Sequence, residues 1–320
     1  MEPTPSPPAA VLEAAGLRPE GLTLIPWRHR LWTAAGGARP AVLHRYPPWR
    51  TPADVAWEHA YLRRLAATGF PAPRPLAAFG GESWLAAAGA VWGLVSFLPG
   101  RTLEWAPQPA LEEVGALLAR YHDAAAGVRV DAPRPSRVPL ARLAAAAGAV
   151  PEARLRAALG GAAGARRFRE HVERLQHELA ALGHAAAPRL VIHGDPTVSN
   201  VVVDGSPPAV AGLIDFASAY HEPPLADVGF GLWRSGRPGP AAVAADPARV
   251  GRLVAGYHGV RPLDARTGPA AVCAYMRARG LPYIVHHLGG EDLTLPLRRV
   301  AALAAGQPAL ETAIAAALVS

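Results

Sequence analysis

The sequence predicts an α+β fold in which a smaller β-rich part comes first and a larger, mainly helical part follows. Three observations carry this. Up to about Leu98, short β-branched and aromatic runs alternate with Gly- and Pro-containing breaks, the pattern of short strands joined by turns. From Pro109 onward the apolar residues recur at helical spacing. That helical pattern is interrupted only between Leu190 and Ile214, where three apolar runs are too short for helices. The expected division is residues 1–99 and 100–320.

In order, Met1 to Pro8 holds four prolines and reads as an extended tail, with order beginning after residue 10. Val11–Leu17 suits a short helix stopped near Gly16. Strands are expected at Leu22–Ile25, Arg28–Thr33 and Ala41–Tyr46, with Gly36-Gly37 turning between the last two. Thr51–Thr68 reads as a helix: Thr51 can cap it, Pro52 suits its first turn, and Trp57, Tyr61, Leu62 and Leu65 form its apolar stripe. Trp84–Ala88 and Val91–Leu98 form a hairpin pattern around Gly89. Helices are then expected at Ala110–Ala125, Leu140–Ala147, Glu152–Leu159 and Ala165–Leu182, with a Pro/Arg-rich connection at Val128–Arg137. After the three short strands, helices are expected near Val228–Trp233 and at Pro247–Tyr257, Gly268–Arg279, Pro282–Leu288, Leu293–Ala305 and Pro308–Leu318.

Composition narrows the function. With 51% hydrophobic and 18% charged residues among 320, the chain is that of a folded protein rather than a disordered one. All 32 basic residues are arginine; there is no lysine. The net charge of +7 and a pI near 10.3 fit a basic surface with an anion-binding cleft. The arginines are scattered and no nucleic-acid motif accompanies them, so no nucleic-acid partner is expected. One cysteine, Cys273, excludes an intrachain disulfide or a Cys-based metal site, and its apolar context places it in the core. His286 and His287 are adjacent and face different sides of a helix, so no zinc site is expected. No apolar run approaches the length of a membrane span, and the Pro-rich start lacks a basic n-region followed by an apolar core. A cytoplasmic protein with no membrane partner is the expectation.

The stretch that carries chemistry is Val191 to Asp227. Strands at Leu190–Ile192 and Val201–Val203 flank a polar loop, His193 to Asn200, and the run Val210–Ile214 ends on Asp215. Asp195, Asn200 and Asp215 thus sit at strand ends and on the loops between them. Phosphoryl transfer needs this set: one carboxylate orients or deprotonates the attacking hydroxyl, while an amide and a second carboxylate hold Mg²⁺ on the phosphates. The Asp-to-Asn step of five residues equals that of the protein-kinase catalytic loop, and Asp215-Phe216-Ala217 stands where that superfamily has D-F-G.

These residues resemble the aminoglycoside phosphotransferase family, which includes choline, homoserine and related small-molecule kinases. His193, Gly194, Asp195 and Asn200 match its H-G-D-x-x-x-x-N loop, Ile214-Asp215-Phe216 its I-D-F, and Asp227 its later P-x-x-D. The helix ending Leu118-Ala119-Arg120-Tyr121-His122 matches its L-x-x-x-H. The resemblance implies a two-lobed protein-kinase-like fold that binds ATP or GTP with Mg²⁺. It implies His193, Asp195 and Asn200 as catalytic-loop residues, and Asn200 and Asp215 as metal ligands. Asp227 would support the loop through its backbone or His193. Ser96, Phe97 and Leu98 would form the hinge whose backbone meets the adenine edge; an ordinary strand end fits that segment too.

Two departures stand out. A strand lysine that meets the phosphates and pairs with a helix glutamate is missing. Glu58 is the helix candidate, His44 aligns with the lysine, and Arg45 is its neighbour on the opposite face of the strand. Imidazole clamps phosphate poorly unless protonated, whereas Arg45 is always charged but serves only in a different register. The alternative is that both merely decorate a half-exposed strand. A glycine-rich phosphate loop is also missing: Pro26-Trp27-Arg28-His29-Arg30 stands in its place, where Arg28 or Arg30 can reach the phosphates or the loop contacts them little. From Glu222 onward, seven carboxylates face ten arginines, a balance that favours a neutral or anionic small alcohol over a polycation as acceptor. A nucleotide-binding pseudokinase that regulates a partner is the rival reading. Oligomeric state is not legible.

Overall fold

A computed structural model describes residues 6–25, 31–35, 40–103, 110–130, 132–206, 209–286, 288 and 293–319. Pro8 leads directly into a helix, Ala9–Ala15 (α1), which ends on Gly16 with φ of 66°. The expected tail is therefore shorter at its C-terminal side, because Val11 is fully buried and anchors α1 against the sheet. That sheet has five antiparallel strands: Leu22–Leu24 (β1), Leu31–Ala34 (β2), Ala41–Arg45 (β3), and, beyond the helix Pro52–Ala67 (α2), Trp84–Ala87 (β4) and Ala90–Ser96 (β5). Their order is β1-β2-β3-β5-β4. The β4–β5 turn places Ala88 and Gly89 at φ of 49° and 70°, the sense of twist that a two-residue hairpin needs. The segment Pro26–Arg30 and the Gly36-Gly37 turn lie outside the described residues.

Alternation along β3 sorts its side chains. Leu43 is buried with Trp32, Trp92 and the α1 residues Val11 and Leu12, and the Arg45 guanidinium lies 5.9 Å from the Trp92 ring centre. His44 takes the other face and stacks on Tyr46 at 4.1 Å, whose hydroxyl reaches Glu58 Oε1 and His59 Nε2 on α2. Helix α2 begins with a capping box: Thr51 Oγ1 accepts from Asp54 N at 3.2 Å, and Asp54 Oδ2 accepts from Thr51 N at 3.1 Å.

Beyond Ser96 the chain leaves the sheet and forms a short strand, Arg101–Thr102 (β6). Four helices follow: Ala110–Ala126 (α3), Leu140–Gly148 (α4), Glu152–Ala158 (α5) and Ala162–Ala181 (α6). Four short strands come next: Leu190–Ile192 (β7), Val201–Asp204 (β8), Ala209–Leu213 (β9) and Tyr220–Glu222 (β10). They form two small sheets, β6-β8-β9 and β10-β7. Two of these strands, β6 and β10, are too short to leave a period in the sequence and exist only through their partners. The chain closes with Pro224–Ser235 (α7), Pro247–Val260 (α8), Gly268–Ala278 (α9), Gly280–His286 (α10) and Thr294–Ala317 (α11). Helices α3 and α8 approach so closely that a Cβ on Gly115 would fall 2.0 Å from Leu253 O, and one on Gly256 1.8 Å from Glu112 O.

Helix α11 corrects two expectations. It runs through Pro308 rather than breaking there: one backbone bond is forgone, but Val300, Leu303, Leu310 and Ile314 bury on both sides of the proline and hold the axis. At 24 residues it is also long and apolar enough to cross a membrane by length and composition. Here it packs its buried side chains against α8 and α9. Cys273, as expected, is a buried core residue.

One side chain fastens the β-rich half to the helical half. Arg134, in the α3–α4 connection, is buried and donates to Glu58 Oε2 at 2.6 Å and to the carbonyls of Phe216 and Ala219 at 3.0 and 3.2 Å. Its guanidinium also lies 5.4 Å from the Trp57 ring centre. Burial pushes the Glu58 carboxyl up, but the Arg134 charge and hydrogen bond outweigh it and hold the group below its ordinary value.

Arg134→Met leaves the buried Glu58 carboxylate without its cation and should lower stability by about 3–5 kcal/mol, read in a denaturant titration. Adding Glu58→Met should recover most of that loss. The Glu58 contribution is present above pH 4.5, its ordinary value, and fades as pH falls through the lower folded-state value. Burial also brings His59 and His171 down to about 4. The unfolded chain binds those protons at about 6.5, so the melting temperature should fall as pH drops from 6.5 toward 4.

Candidate active site

The loop from β7 to β8 is held by a carboxylate from the next helix. Asp227, in the first turn of α7 and fully buried, accepts from His193 N at 2.7 Å and from Gly194 N at 2.8 Å. It also meets His122 Nε2 at 3.1 Å, and His122 Nδ1 meets the Tyr257 hydroxyl at 2.8 Å. Burial lowers the His122 pKa even against the Asp227 bond that raises it, so a neutral imidazole links α3, α7 and α8. Gly194 takes φ of 78°, and a Cβ there would fall 2.2 Å from Ser218 O; no other residue fits that position of the H-G-D triplet.

Within the loop, His193 is fully buried. Its Nε2 lies 2.9 Å from Ile214 O and its Nδ1 accepts from Asp195 N at 3.3 Å. These partners set the tautomer that carries its proton on Nε2. Its ring packs edge-on against Phe216 at 4.7 Å. Asn200 donates from Nδ2 to Asp195 O at 2.8 Å, and its own carbonyl accepts from Ile214 N at 2.9 Å. The hairpin β8–β9 therefore brings the end of β9 alongside Asn200 and delivers Asp215, a non-glycine residue with φ of 67°. Asp195 and Asn200 thus lie on one loop, and Asp215 follows the residue whose N–H is bonded to the Asn200 backbone carbonyl. With its amide nitrogen committed, Asn200 can offer a cation only its side-chain oxygen. Together with the Asp215 carboxylate this is an all-oxygen donor set of the kind a hard divalent cation takes, completed by phosphate oxygens and water.

The nucleotide-side residues are distributed less simply. His44 lies on the Glu58 side of the sheet and is close enough to contribute to lowering the Glu58 pKa. Glu58 itself is taken by Arg134. Arg45 sits on the opposite face, over Trp92. At the expected hinge, Ser96 N donates to Arg74 O at 2.8 Å and Phe97 N to Pro40 O at 3.0 Å.

Sequence reasoning missed the arginines that surround the Asp215-Phe216-Ala217 turn. Arg50 and Arg137 both donate to Ala217 O, and Arg279, between α9 and α10, donates to Asp195 Oδ1 at 3.2 Å. The Pro/Arg-rich character of Val128–Arg137 was the one visible signal; Arg50 and Arg279 look like surface arginines in the sequence.

Comparison with known proteins fits this geometry. The sequence model of the phosphotransferase enzyme family matches residues 27–263. The chain belongs to that family, and its fold is the two-lobed, kinase-like one. An uncharacterised protein of Deinococcus radiodurans is 37% identical over 123 residues, 36% of this chain and 35% of that protein. A homoserine kinase of Methylobacillus glycogenes is 28% identical over 239 residues, 73% of this chain and 68% of that enzyme. The chain thus spans about a third of the first relative's length and two thirds of the second's. Among solved structures, a microcompartment-associated aminopropanol kinase superposes with a TM-score of 0.71 at 17% identity, covering 95% of each chain. An amicoumacin kinase in complex with AMP-PNP, Ca²⁺ and its antibiotic superposes with a TM-score of 0.67 at 18% identity, covering 95% of this chain and 92% of that one.

Asp227→Asn should leave at least one of the two loop N–H groups facing an amide N–H₂ instead of a carboxylate. A loss of about 1–3 kcal/mol in stability is expected, with the loop amides at His193 and Gly194 exchanging faster in hydrogen-exchange measurements.

Proposed function

We propose that the protein is a small-molecule kinase that transfers the γ-phosphoryl group of ATP or GTP to the hydroxyl of a small metabolite or antibiotic. The observation that supports this reading is that Asp195 and Asn200 share a loop whose backbone is bonded to Asp227, while the Ile214 N–H bond to the Asn200 carbonyl sets Asp215 next to that loop. Asp195 is the base: the acceptor oxygen bonds to the γ-phosphorus as its proton passes to the Asp195 carboxylate. The bond from that phosphorus to the β–γ bridging oxygen breaks, and a nucleoside diphosphate leaves. Asn200 and Asp215 are the residues that would hold Mg²⁺, which when bound offsets charge on the phosphates. His193 is assigned to positioning, since both ring nitrogens are engaged inside the loop. On the nucleotide side, the Leu98 backbone would meet the base and His44 would stand nearest the missing lysine's place. Residues 1–99 and 100–320 would act as the nucleotide lobe and the catalytic, acceptor-binding lobe.

Calorimetric titration with ATP and with GTP, each with and without Mg²⁺, tests this together with diphosphate release in the presence of pooled alcohols. Mg²⁺-dependent binding and acceptor-dependent release are expected. Asp195→Ala should slow turnover by about 10²–10⁴-fold while leaving nucleotide affinity nearly unchanged, and Asp215→Asn should remove the Mg²⁺ dependence of binding. Failure to bind either nucleotide would sink the proposal. Nucleotide binding without turnover of any alcohol would favour the pseudokinase.

A further inference from the structure

The arginines beside Asp195 ask for an explanation that the phosphoryl-transfer groups do not supply. Arg279 reaches the cleft from the α9–α10 junction, and its Nη2 lies 3.2 Å from Asp195 Oδ1. Both side chains remain partly open to solvent, at 23% and 32%, so an acceptor that reaches Asp195 also reaches Arg279. Arg137 comes from the α3–α4 connection. Its Nη2 donates to Ala217 O at 2.9 Å and to Ser218 Oγ at 3.0 Å. Ser218 in turn lies against Gly194, the residue before Asp195. Among the described residues no carboxylate lies within salt-bridge distance of Arg137, whereas Arg134 has Glu58.

Carboxylates stand at the edges of this group, Asp195 on Arg279 and Asp54 and Asp215 near Arg50. Among the described residues, the charges that bear most on Arg137 are those of Arg50, Arg134, the Tyr220 hydroxyl and Arg279. Burial first, and then the neighbouring Arg50 and Arg134, bring the Arg137 guanidinium down to about 10. Arg50 is lowered by burial and by Arg134 despite Glu58, Asp54 and Asp215 nearby. Guanidiniums held together this way repel one another unless an anion joins them. Among the described residues the Nε atoms of Arg50, Arg137 and Arg279 have no hydrogen-bond partner.

We propose that Arg137 and Arg279 form an anion clamp for the acceptor, so that the preferred substrate is a small alcohol carrying a carboxylate or phosphate group within a few bonds of the reacting hydroxyl. This rests on the kinase reading of Asp195. A planar guanidinium can take either group through two parallel N–H bonds. Among the described residues the Arg279 guanidinium makes one hydrogen bond, to Asp195 Oδ1, and lies over the Phe230 ring, which leaves it further N–H donors for the substrate anion. The clamp would also exclude cationic alcohols by repulsion, a discrimination that needs no added steric fit. Transfer itself follows the balance given above; the clamp takes no part in bond making and fixes only where the hydroxyl lies relative to Asp195.

The test compares matched alcohols in one assay of diphosphate release: glycerate for a carboxylate, glycerol 3-phosphate for a phosphate, glycerol as neutral, and 3-aminopropanol and choline as cations. Sulfate binding to the nucleotide-saturated protein is measured alongside by calorimetry. The expectation is a kcat/KM at least about tenfold higher for an anionic alcohol than for glycerol, and about tenfold or more loss of that ratio in Arg137→Met and in Arg279→Met. The loss should fall mainly on KM, with nucleotide Kd unchanged, and sulfate binding should disappear in the double variant. Carboxylate and phosphate acceptors are told apart by which alcohol leads. Preference for a cationic or neutral alcohol, absence of sulfate binding, or variants that weaken nucleotide instead of acceptor would each overturn the clamp while leaving the kinase standing. No nucleotide binding and no turnover of any alcohol would remove both.

Discussion

The site depends on Asp227. The eight-residue loop between β7 and β8 is largely buried, and its start is fixed by charge-assisted bonds that a single buried carboxylate makes to two consecutive N–H groups. The same carboxylate reaches His122 and, through it, Tyr257, so the loop is referenced to the most tightly packed helices of the molecule. Placing that acid in the first turn of α7 adds the favourable end of the helix dipole to its environment. Gly194 supplies the one backbone conformation that lets both N–H groups point the same way.

A second constraint joins the two halves. In the kinase arrangement implied by the sequence, a strand cation pairs with a helix glutamate and so couples nucleotide to helix. Here the glutamate on α2 pairs with Arg134, which also holds the carbonyls of Phe216 and Ala219. The helix is thereby tied to the turn that carries Asp215, with Phe216 packed between Tyr61 and the His193 ring. The coupling of the β-rich half to the turn that carries Asp215 is built into the protein fold. Arginine suits that role because it stays charged when buried and reaches three acceptors in a plane.

Much of the helical part was legible because long amphipathic periods survive any tertiary context. Helix α2 with its Thr51 cap, α3 with the His122 end, and α6 were readable to within a few residues. The loop at Asp195 was legible for a different reason: the residues that resemble the phosphotransferase pattern, Asp195, Asn200 and Asp215, appear in order along one short stretch. Strands β6 and β10 were not legible, since two or three residues carry no period. Pro308 misled because a proline's local cost was outweighed by burial on both of its flanks.

By itself, then, the chain determined the α+β class, the order of its elements and the phosphotransferase loop, all of which depend on local pattern or on residues close in sequence. Tertiary structure alone decided which arginines matter. Arg50, Arg134, Arg137 and Arg279 are up to 229 residues apart in the sequence and are four of 32 identical side chains. Nothing in a one-dimensional pattern separates a guanidinium buried against Glu58 or set beside Asp195 from one in solvent. Long-range charge has no sequence period, and only the folded chain brings it to a point.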